Sequence, residues 1–576
     1  MVSRIVNEYI LDLFSKYTKI PFIVYEAPTG YGKTSLSPFI YQVLEEKGLV
    51  AGLIHVLPLR NLVEKLYLDI KNGKGVYGKL EPRSIGYQAM MFIDSSKAPF
   101  YLKDINVSTF DSYAYNLLRV PVAEFHKYGR HYDVPRATIF TSLNTLDEAH
   151  LYGGDPGISS TGSIYTVFDI VVHTLYRSLT PTLVLSATLP NPLKKDLLYV
   201  IKDLKSSRHD KYYIEYEVFT REVIDNNLIK ISDEEFDHMV MGVDYKTEII
   251  NEPDILCVVD KHVSSSEKVL IIRNTPSKAV STYDALAKRY GEEDTVLIHG
   301  RLTSIDRLKA VEKLDRAKIV VATQVIEAGI DISFDTLISD VASPSPIVQR
   351  IGRVNRYFDS DKAYIYIVRG SGDRVYDQLI VNRFLDLIDK LLSRGYSINW
   401  RLALSGSKDS VYGYKYVFDK VYEGYSLYKD YSLRNILGFI SRSTFIDQHM
   451  INELMYRMCC QNRGFVRDSI LVPIYVGEYR KDLSIEEILN YSIPVSKHFI
   501  ERHPYFVVQD NRIHYIGLKY DAGEWTITRD FIPVYGKAVI PCSLLFGYRG
   551  DRAYPLAFLI SDSKYYVEGR GLIIGG

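Results

Sequence analysis

Ala27-Pro-Thr-Gly30-Tyr-Gly32-Lys33-Thr34 decides the fold of this 576-residue chain. The stretch lies between a short apolar run, Phe22-Ile-Val-Tyr25, and a segment from Leu36 to Leu44 in helical spacing. A glycine-rich loop joining a strand to a helix is where an α/β protein holds phosphate, because backbone N–H groups and the helix N-terminus converge there. Gly30 and Gly32 let the backbone wrap tightly, so Thr29, Gly30, Tyr31 and Gly32 form the cradle. Lys33 is the side chain that pairs with β- and γ-phosphates, and the Thr34 hydroxyl is a ligand for Mg²⁺. Ala27 stands where the full Gly-x4-Gly-Lys-Thr pattern has its first glycine. Taken alone, the loop also fits a glycine-rich turn with a solvated lysine.

After the loop, Gly52-Leu-Ile-His-Val-Leu57 is the next strand, Leu62, Leu66 and Ile70 mark a helix, and Thr182-Leu-Val-Leu-Ser186 is a later strand. Such alternation predicts a parallel sheet with crossover helices. A second series has strands at 269–272, 295–298, 319–322, 336–338 and 363–368. Between the two lies a polar stretch, from Lys202, Lys205, Arg208 and Lys211 to Asp233-Glu-Glu235, expected as a connector with some structure of its own. Past residue 370 the alternation ends. Val381 to Leu392 has the spacing of an amphipathic helix, and the C-terminal part is rich in short β-like runs with Gly and Pro. The expected division is a first α/β domain over 1–210, a connector over 211–250, a second α/β domain over 251–370, and a helical linker with a mixed α+β accessory domain over 371–576.

Composition excludes several classes. Hydrophobic residues make up 47% and charged residues 24%, enough apolar surface for several cores. No apolar run reaches the roughly 18 residues that span a bilayer. The start, Met1-Val-Ser-Arg-Ile-Val-Asn, lacks the pattern of a signal peptide. A soluble, cytoplasmic chain with no membrane partner is expected. The 70 basic and 70 acidic residues cancel, which excludes binding by bulk charge and leaves local grip on a few phosphates. Cys257, Cys459, Cys460 and Cys542 have no metal-ligand spacing and are expected as reduced or buried thiols; His209-Asp210 is expected as a solvated turn. The 47 tyrosines against eight glutamines lean toward a heat-adapted source.

Leu146-Asp147-Glu148-Ala149-His150 is the second telling string. Adjacent carboxylates at a strand end divide labour: Asp147 holds the metal shell and Glu148 polarises the attacking water. The letters alone also fit an acidic turn, and the preceding Ile139-Phe-Thr-Ser-Leu-Asn-Thr-Leu146 is more polar than a central strand usually is. Ser186-Ala-Thr188 offers two hydroxyls at a strand end and, with His150, is the candidate coupling element. Further on, Thr323-Gln-Val-Ile-Glu327-Ala-Gly-Ile-Asp331 follows a strand, and Asp331 joins the nucleotide-contacting set. In Gln349-Arg350-Ile-Gly352-Arg353-Val-Asn-Arg356, the arginines 353 and 356 share one helix face if the segment is helical. With Gln349 they are the candidates to stabilise transition-state charge across a cleft. Weaker candidates are Pro58, Arg60, Thr109, Asp111, Asn274, Arg301 and Thr323. As loop and helix-end groups they suit contact with a nucleic-acid backbone, and equally a turn or cap.

These motifs, in this order between residues 27 and 356, resemble superfamily 2 DEAH-type helicases, in which Ala commonly replaces the first glycine of the loop. The spelling of Thr109-x-Asp111, His299-Gly-Arg301 with Asp306-Arg307, Glu327-Ala-Gly-Ile-Asp331 and Gln-Arg-Ile-Gly-Arg-Val-Asn-Arg356 is similar to the helicase of type I CRISPR interference. Tyr491-Ser-Ile-Pro-Val495 and Ile516-Gly-Leu-Lys-Tyr-Asp521 are similar to its accessory domain. The resemblance implies two RecA-like domains, ATP and Mg²⁺ as cofactors, and ATP-dependent 3′-to-5′ unwinding of DNA. It further implies single-stranded DNA as the track and an RNA-guided surveillance complex as the recruiting partner, base pairing supplying specificity. That family usually carries an HD nuclease domain ahead of the motor. With the loop so near Met1, the resemblance implies a split system whose HD-domain nuclease is a separate polypeptide. Many superfamily 2 enzymes also read adenine with a Gln upstream of the loop. The first Gln here is Gln42, so tolerance of other purine triphosphates is expected. The rivals are an archaeal RNA or DNA-repair helicase of the same superfamily, and a non-catalytic scaffold that binds ATP as a switch. Glu148, Arg353 and Arg356 speak against the scaffold.

Overall fold

The computed structural model describes residues 4–16, 19–81, 83–89, 96–120, 131–153, 163–202, 209–327, 332–370, 375–442, 449, 453–454, 456–457, 466, 470–521, 524–535, 540 and 556–573. The chain forms two compact units, one of Met1–Arg119, Tyr132–Ile272 and Glu327–Arg442, the other of Val120–His131, Arg273–Ile326 and Ser443–Gly576.

The first unit opens with a nine-stranded sheet. Its strands are β1 (Ile20–Glu26), β2 (Gly52–Leu57), β3 (Ile85–Gln88), β4 (Ile105–Thr109) and β5 (Ser142–Leu146). They are joined by β6 (Thr182–Ser186), β7 (His209–Tyr216), β8 (Val223–Asp225) and β9 (Leu228–Ile231). The order is β3-β4-β2-β5-β6-β1-β7-β9-β8, parallel except for β8 against β9. Every residue of β2, β5 and β6 is buried, as expected where helices cover both faces of a parallel sheet. The helix Leu36–Glu46 turns Leu36, Ile40 and Leu44 inward at the spacing of one helical face.

This order positions the candidate residues. β5, β6 and β1 are neighbours, with Leu146 opposite Val184 and Ser186 opposite Glu26. The glycine loop, Asp147-Glu148 and Ser186-Ala-Thr188 therefore leave the carboxyl ends of three adjacent strands, where ligand crevices of parallel sheets lie. The polar strand β5 is buried because its side chains are satisfied internally. Asn144 accepts from the Tyr113 hydroxyl at 2.7 Å and donates to the carbonyls of Ile139 at 2.8 Å and Ser142 at 2.9 Å. The stretch expected as a connector contributes β7, β8 and β9 to this sheet. His209 and Asp210 begin β7, opposite Ile20 and Pro21, and are not a solvated turn.

The later α/β strands are β10 (Asp244–Ile250), β11 (Val269–Ile272), β12 (Thr295–Ile298), β13 (Ile319–Ala322), β14 (Thr336–Asp340) and β15 (Lys362–Val368). In the first unit they run in the order β10-β15-β14-β11, all parallel. The helix Gln378–Ser393 follows, then a small sheet over residues 397–413 and the helix Tyr414–Val421. In the second unit β12 pairs with β13 in parallel.

The second unit also holds a mixed sheet. Leu471–Tyr475 lies antiparallel to Ser492–Ser496 and parallel to Leu556–Ile560, while Arg512–Asp521 pairs antiparallel with Leu556–Ile560 and with Glu524–Pro533. Its core gathers Val472, Ile474, Ile493, Ile500, Phe506, Ile513 and Leu559. The fold class is thus α/β, two tandem parallel-sheet domains with a C-terminal mixed α+β domain. Among the described residues no helix is long and apolar enough to cross a membrane. Cys257 is exposed and unpaired; Cys459, Cys460 and Cys542 lie outside the described residues.

Candidate active site

The glycine loop has the backbone geometry of a cradle. Gly30 and Gly32 have φ of +78° and +90°, left-handed conformations that glycine alone adopts without cost. Thr34 lies in a short 3-10 turn, Lys33–Ser35, that leads into the helix Leu36–Glu46. Lys33 is buried, and its ammonium donates to the carbonyls of Ala27 at 2.6 Å and Pro28 at 3.0 Å. Burial lowers its pKa, against the pull of Glu148, Asp147 and Glu26. Tyr31 does not face the crevice. Its ring is fully buried, its hydroxyl donates to Asp233 Oδ2 at 2.8 Å, and Asn7 Nδ2 donates to its carbonyl at 3.3 Å. Its side chain anchors the loop, and only its main chain is left to line the cradle.

Opposite the loop, the Thr34 hydroxyl donates to Asp147 Oδ2 at 2.7 Å. His55, from the middle of β2, places Nε2 3.3 Å from the same oxygen and Nδ1 2.6 Å from Ser37 Oγ, with both His55 and Ser37 fully buried. Burial alone would raise the Asp147 pKa, but His55, Thr34 and the Glu148 N–H hold it below the usual carboxylate value. Glu148 is the opposite case. Its backbone sits at φ 51°, a conformation costly for a residue with a side chain. Its Oε2 accepts no hydrogen bond among the described residues. Burial and the neighbouring Asp147 charge push its pKa up to about 7, with Lys33 and Arg353 drawing it back. Two adjacent carboxyls with pKa values driven apart, one held ionised and one poised near neutrality, fit a metal ligand beside a base.

His150 joins three motifs. Nδ1 lies 3.1 Å from Ser186 Oγ, and Nε2 meets the side-chain amide of Gln349. Burial, with Lys33, lowers its pKa to about 3, so it is neutral. Thr188 N donates to Ser186 Oγ at 3.2 Å, and Thr188 Oγ1 lies 3.2 Å from Ser345 Oγ. The two α/β layers of the first unit therefore meet through hydroxyls and one imidazole.

Arg353 and Arg356 are not on a helix. The helix Pro344–Ile351 ends at Gly352. Beyond it Val354 bridges Phe334, and Asn355 turns left-handed at φ 44°, so both arginines lie in a turn held against the chain before β14. Arg353 Nη2 donates to the Glu327 carbonyl at 2.6 Å, and its charge reaches Glu148. The Arg356 N–H donates to Ser333 Oγ at 2.9 Å. The fully buried Arg350 is occupied by Glu327 Oε1 at 2.7 Å, Ser339 Oγ at 2.9 Å and the Tyr376 hydroxyl at 2.9 Å. Asp331 lies outside the described residues.

Two residues at this site escaped the sequence reading. His55 had a signal, a lone imidazole in an otherwise apolar strand. Arg401 had none, standing 45 positions beyond Arg356. It is buried, and its guanidinium donates to the carbonyls of Thr29 at 3.2 Å, Asn355 at 3.2 Å and Arg356 at 3.0 Å.

Among the weaker candidates of the first unit, Pro58 and Arg60 lie at the carboxyl end of β2, Arg60 opening the helix Arg60–Lys71. Thr109 caps the helix Phe110–Leu117 by accepting from Ser112 N, and Asp111 sits in its first turn. In the second unit Asn274 is buried and its carbonyl accepts from Gln324 Nε2 at 3.0 Å, while Thr323, also buried, follows β13. Arg301 packs its guanidinium 4.5 Å from the Phe499 ring, and its carbonyl accepts from Leu572 N at 3.1 Å. Tyr566 and Gly569 both donate to Asp306 Oδ2, at 2.5 Å and 3.0 Å. The His299-Gly-Arg301 element is thus seated against the C-terminal domain.

A family model for the C-terminal part of the CRISPR-associated nuclease/helicase Cas3 matches residues 265–359, from β11 through the Gln349–Arg356 string. Over that stretch the chain is similar to the Cas3 type. It is similar to the CRISPR-associated nuclease/helicase Cas3 of Methanothermobacter thermautotrophicus, 24% identical over 479 residues, which covers 78% of this chain and 52% of that protein. It is similar also to the CRISPR-associated helicase Cas3 of Thermoproteus tenax, 23% identical over 424 residues, covering 70% of this chain and 66% of that one. The chain spans between about half and two thirds of the length of these curated relatives. Among solved structures, T. fusca Cas3-ATP superposes with a TM-score of 0.57 at 16% identity, covering 89% of this chain and 66% of that one. The shared fold is the tandem RecA-like arrangement that the motif order implied.

Proposed function

We propose that this Cas3-type chain is an ATP-driven motor that moves 3′ to 5′ along single-stranded DNA and unwinds duplex DNA in type I CRISPR interference. It acts in the cytoplasm, recruited by the RNA-guided surveillance complex, with its HD nuclease on a separate polypeptide. The observation that carries the reading is the convergence, within one compact unit, of Lys33, Thr34, Asp147 and Glu148 with the turn bearing Arg353 and Arg356.

The donor set fits a nucleotide with Mg²⁺. Asp147 is held ionised beside the Thr34 hydroxyl, and Glu148 Oε2 is buried without a hydrogen-bond donor among the described residues. Thr34 and Asp147 would hold the ion, which when bound neutralises charge on the β- and γ-phosphates. Lys33 exchanges the carbonyls of Ala27 and Pro28 for phosphate oxygens. Glu148, with its pKa near 7, takes the proton of the attacking water. Arg353 and Arg356 offset the charge that develops on the transferring group. Neutral His150, bonded to Ser186 and Gln349, transmits the state of the Asp147-Glu148 turn to both α/β layers. Sequence-independent nucleic-acid contacts are assigned in the first unit to Pro58, Arg60, Thr109 and Asp111, with Arg60 the phosphate-pairing cation, and separately in the second unit to Asn274, Arg301 and Thr323, with Arg301 in that part.

DNA-stimulated ATP hydrolysis tests the reading. Lys33→Ala and Glu148→Ala each lower it at least about 100-fold with the fold intact by circular dichroism. Wild-type turnover in Glu148→Ala removes the assigned base. A strand comparison at matched salt, with RNA stimulating hydrolysis as well as DNA, overturns the substrate assignment.

A further inference from the structure

Arg401 comes from the segment after the helix Gln378–Ser393, far in sequence from every motif, yet its guanidinium lies inside the site. One amino group donates to the carbonyl of Thr29 in the glycine loop; the other donates to the carbonyls of Asn355 and Arg356. The Phe358 ring lies 4.0 Å beneath the guanidinium carbon, and the Arg401 N–H donates to Asn399 Oδ1 at 3.1 Å, so the side chain is fixed at both ends. The packing leaves no slack: a Cβ on Gly30 would lie 2.8 Å from Arg401 Nη2, and one on Gly352 would lie 2.9 Å from Thr29 Oγ1.

The choice of partners is unusual for a buried cation. Burial lowers the Arg401 pKa, the Tyr245 hydroxyl draws it back up and the Arg356 charge lowers it again; its partners are main-chain carbonyls and that hydroxyl, with no carboxylate among them. Burying a charge without an opposite charge beside it costs stability, so this arrangement is poorly explained as a stabilising device. A planar fork that bridges two loops through their backbones does one thing well: it sets their separation.

We infer that Arg401 is a positioning residue, a clamp that sets the turn carrying Arg353 and Arg356 at its working distance from the glycine loop. The inference rests on the reading of those arginines as acting on the nucleotide, and it adds a residue that touches none of it. Because the contacts are to backbone, no other side chain of either loop substitutes for the fork. Lysine, with a point charge on a flexible stem, reaches one loop at a time.

The test compares full-length Arg401→Lys and Arg401→Met with wild type. In both, kcat for DNA-stimulated ATP hydrolysis falls at least about tenfold, as expected when reacting groups are displaced by a fraction of an ångström. The Kd for ADP, read with a fluorescent ADP analogue, stays within about threefold, since the loop itself is intact. Amide hydrogen exchange without nucleotide speeds up across residues 352–358 in both variants, while the helix Leu36–Glu46 keeps its protection. Unchanged exchange at 352–358, or kcat within about twofold of wild type in Arg401→Lys, overturns the clamp. Parallel losses of kcat, ADP affinity and melting temperature also overturn it, because they mark a structural residue. If the wild-type chain hydrolyses no ATP, the function proposed above fails while the exchange comparison still decides whether Arg401 joins the loops.

Discussion

Gly352→Ala isolates the closeness of the two loops from all other chemistry. Gly352 has φ −59° and ψ −5°, ordinary helical values, so alanine brings no backbone strain and slightly stiffens the unfolded chain. The added Cβ, however, would stand 2.9 Å from Thr29 Oγ1, 3.3 Å from Thr29 Cβ and 3.2 Å from the Gln349 carbonyl. Carbon contacts are favourable near 3.5–4.0 Å, so loop and turn must part by roughly half an ångström. Overpacking of this kind costs about 1–3 kcal/mol, charged here to the arrangement that brings Arg353 toward Glu148. At about 1.4 kcal/mol per factor of ten, ATP turnover falls roughly 5- to 150-fold. The melting temperature stays near the wild-type value, because a unit that cannot close fully still folds. Thr29→Ala in the same chain removes the nearest atom, and the double variant recovers part of the loss, a coupling measurable as a double-mutant cycle. Turnover by Gly352→Ala within about twofold of wild type would refute the view that this approach is the working one.

The buried pair of Lys415 and Glu215, 2.8 Å apart, also receives Lys194 at 2.6 Å; Lys415→Met leaves part of a buried carboxylate uncompensated and lowers unfolding free energy by about 3 kcal/mol in urea titrations. Burial would raise the Glu215 pKa, but Lys415 and Lys194 hold it at about 2, below the ordinary 4.5, so the pair's contribution is full above 4.5 and is lost as pH falls toward 2; the urea midpoint drops across that window, and less steeply in Lys415→Met. Tyr31→Phe takes from the buried Asp233 the donor to its Oδ2, leaving the Phe236 N–H on Oδ1, and costs about 1–3 kcal/mol by thermal melting, with ADP affinity unchanged. GTP is expected to bind with a Kd within about 100-fold of that for ATP (about 2.7 kcal/mol), since residues 1–26 hold no glutamine to read the base; a larger gap measured by calorimetry contradicts this.

Where the sequence was legible, the cause is one-dimensional. β2, β6, β11, β12 and β13 are apolar runs bounded by polar or glycine residues, and their limits coincide with those read from the chain. Burial on both faces forces such runs in a parallel sheet, so hydropathy alone marks them. β7 failed the same test for a stated reason. Lys211, Glu215 and Glu217 make 209–217 look like part of a polar connector, yet all three are buried, Glu215 and Glu217 against Lys415 and Glu215 also against Lys194. A charge whose partner lies 200 positions away carries no local sign of its burial. The turn of Arg353 and Arg356 shows a related limit. Spacing of three suggests a helix face, but a bridge from Val354 to Phe334 and a left-handed Asn355 decide otherwise, and both are tertiary facts.

The site itself divides along the same line. Glycine loop, acidic pair and arginine string are legible because each must place several groups within a few residues, which writes a dense pattern. Their supports are sparse by nature. His55 needs only to stand in the middle of β2, two strands from β6 across β5, for its ring to reach Asp147 and Ser37 together. To join the two loops, Arg401 needs only carbonyl oxygens, which every residue has, so no complementary side chain exists to be found by inspection. Under the proposed motor function such contacts have a use: a backbone acceptor moves with its loop, and breaking the bond exposes no second buried charge. The residues that set distances in this unit are thus those whose partners have no identity in the sequence, and the three-dimensional arrangement is where they first become visible.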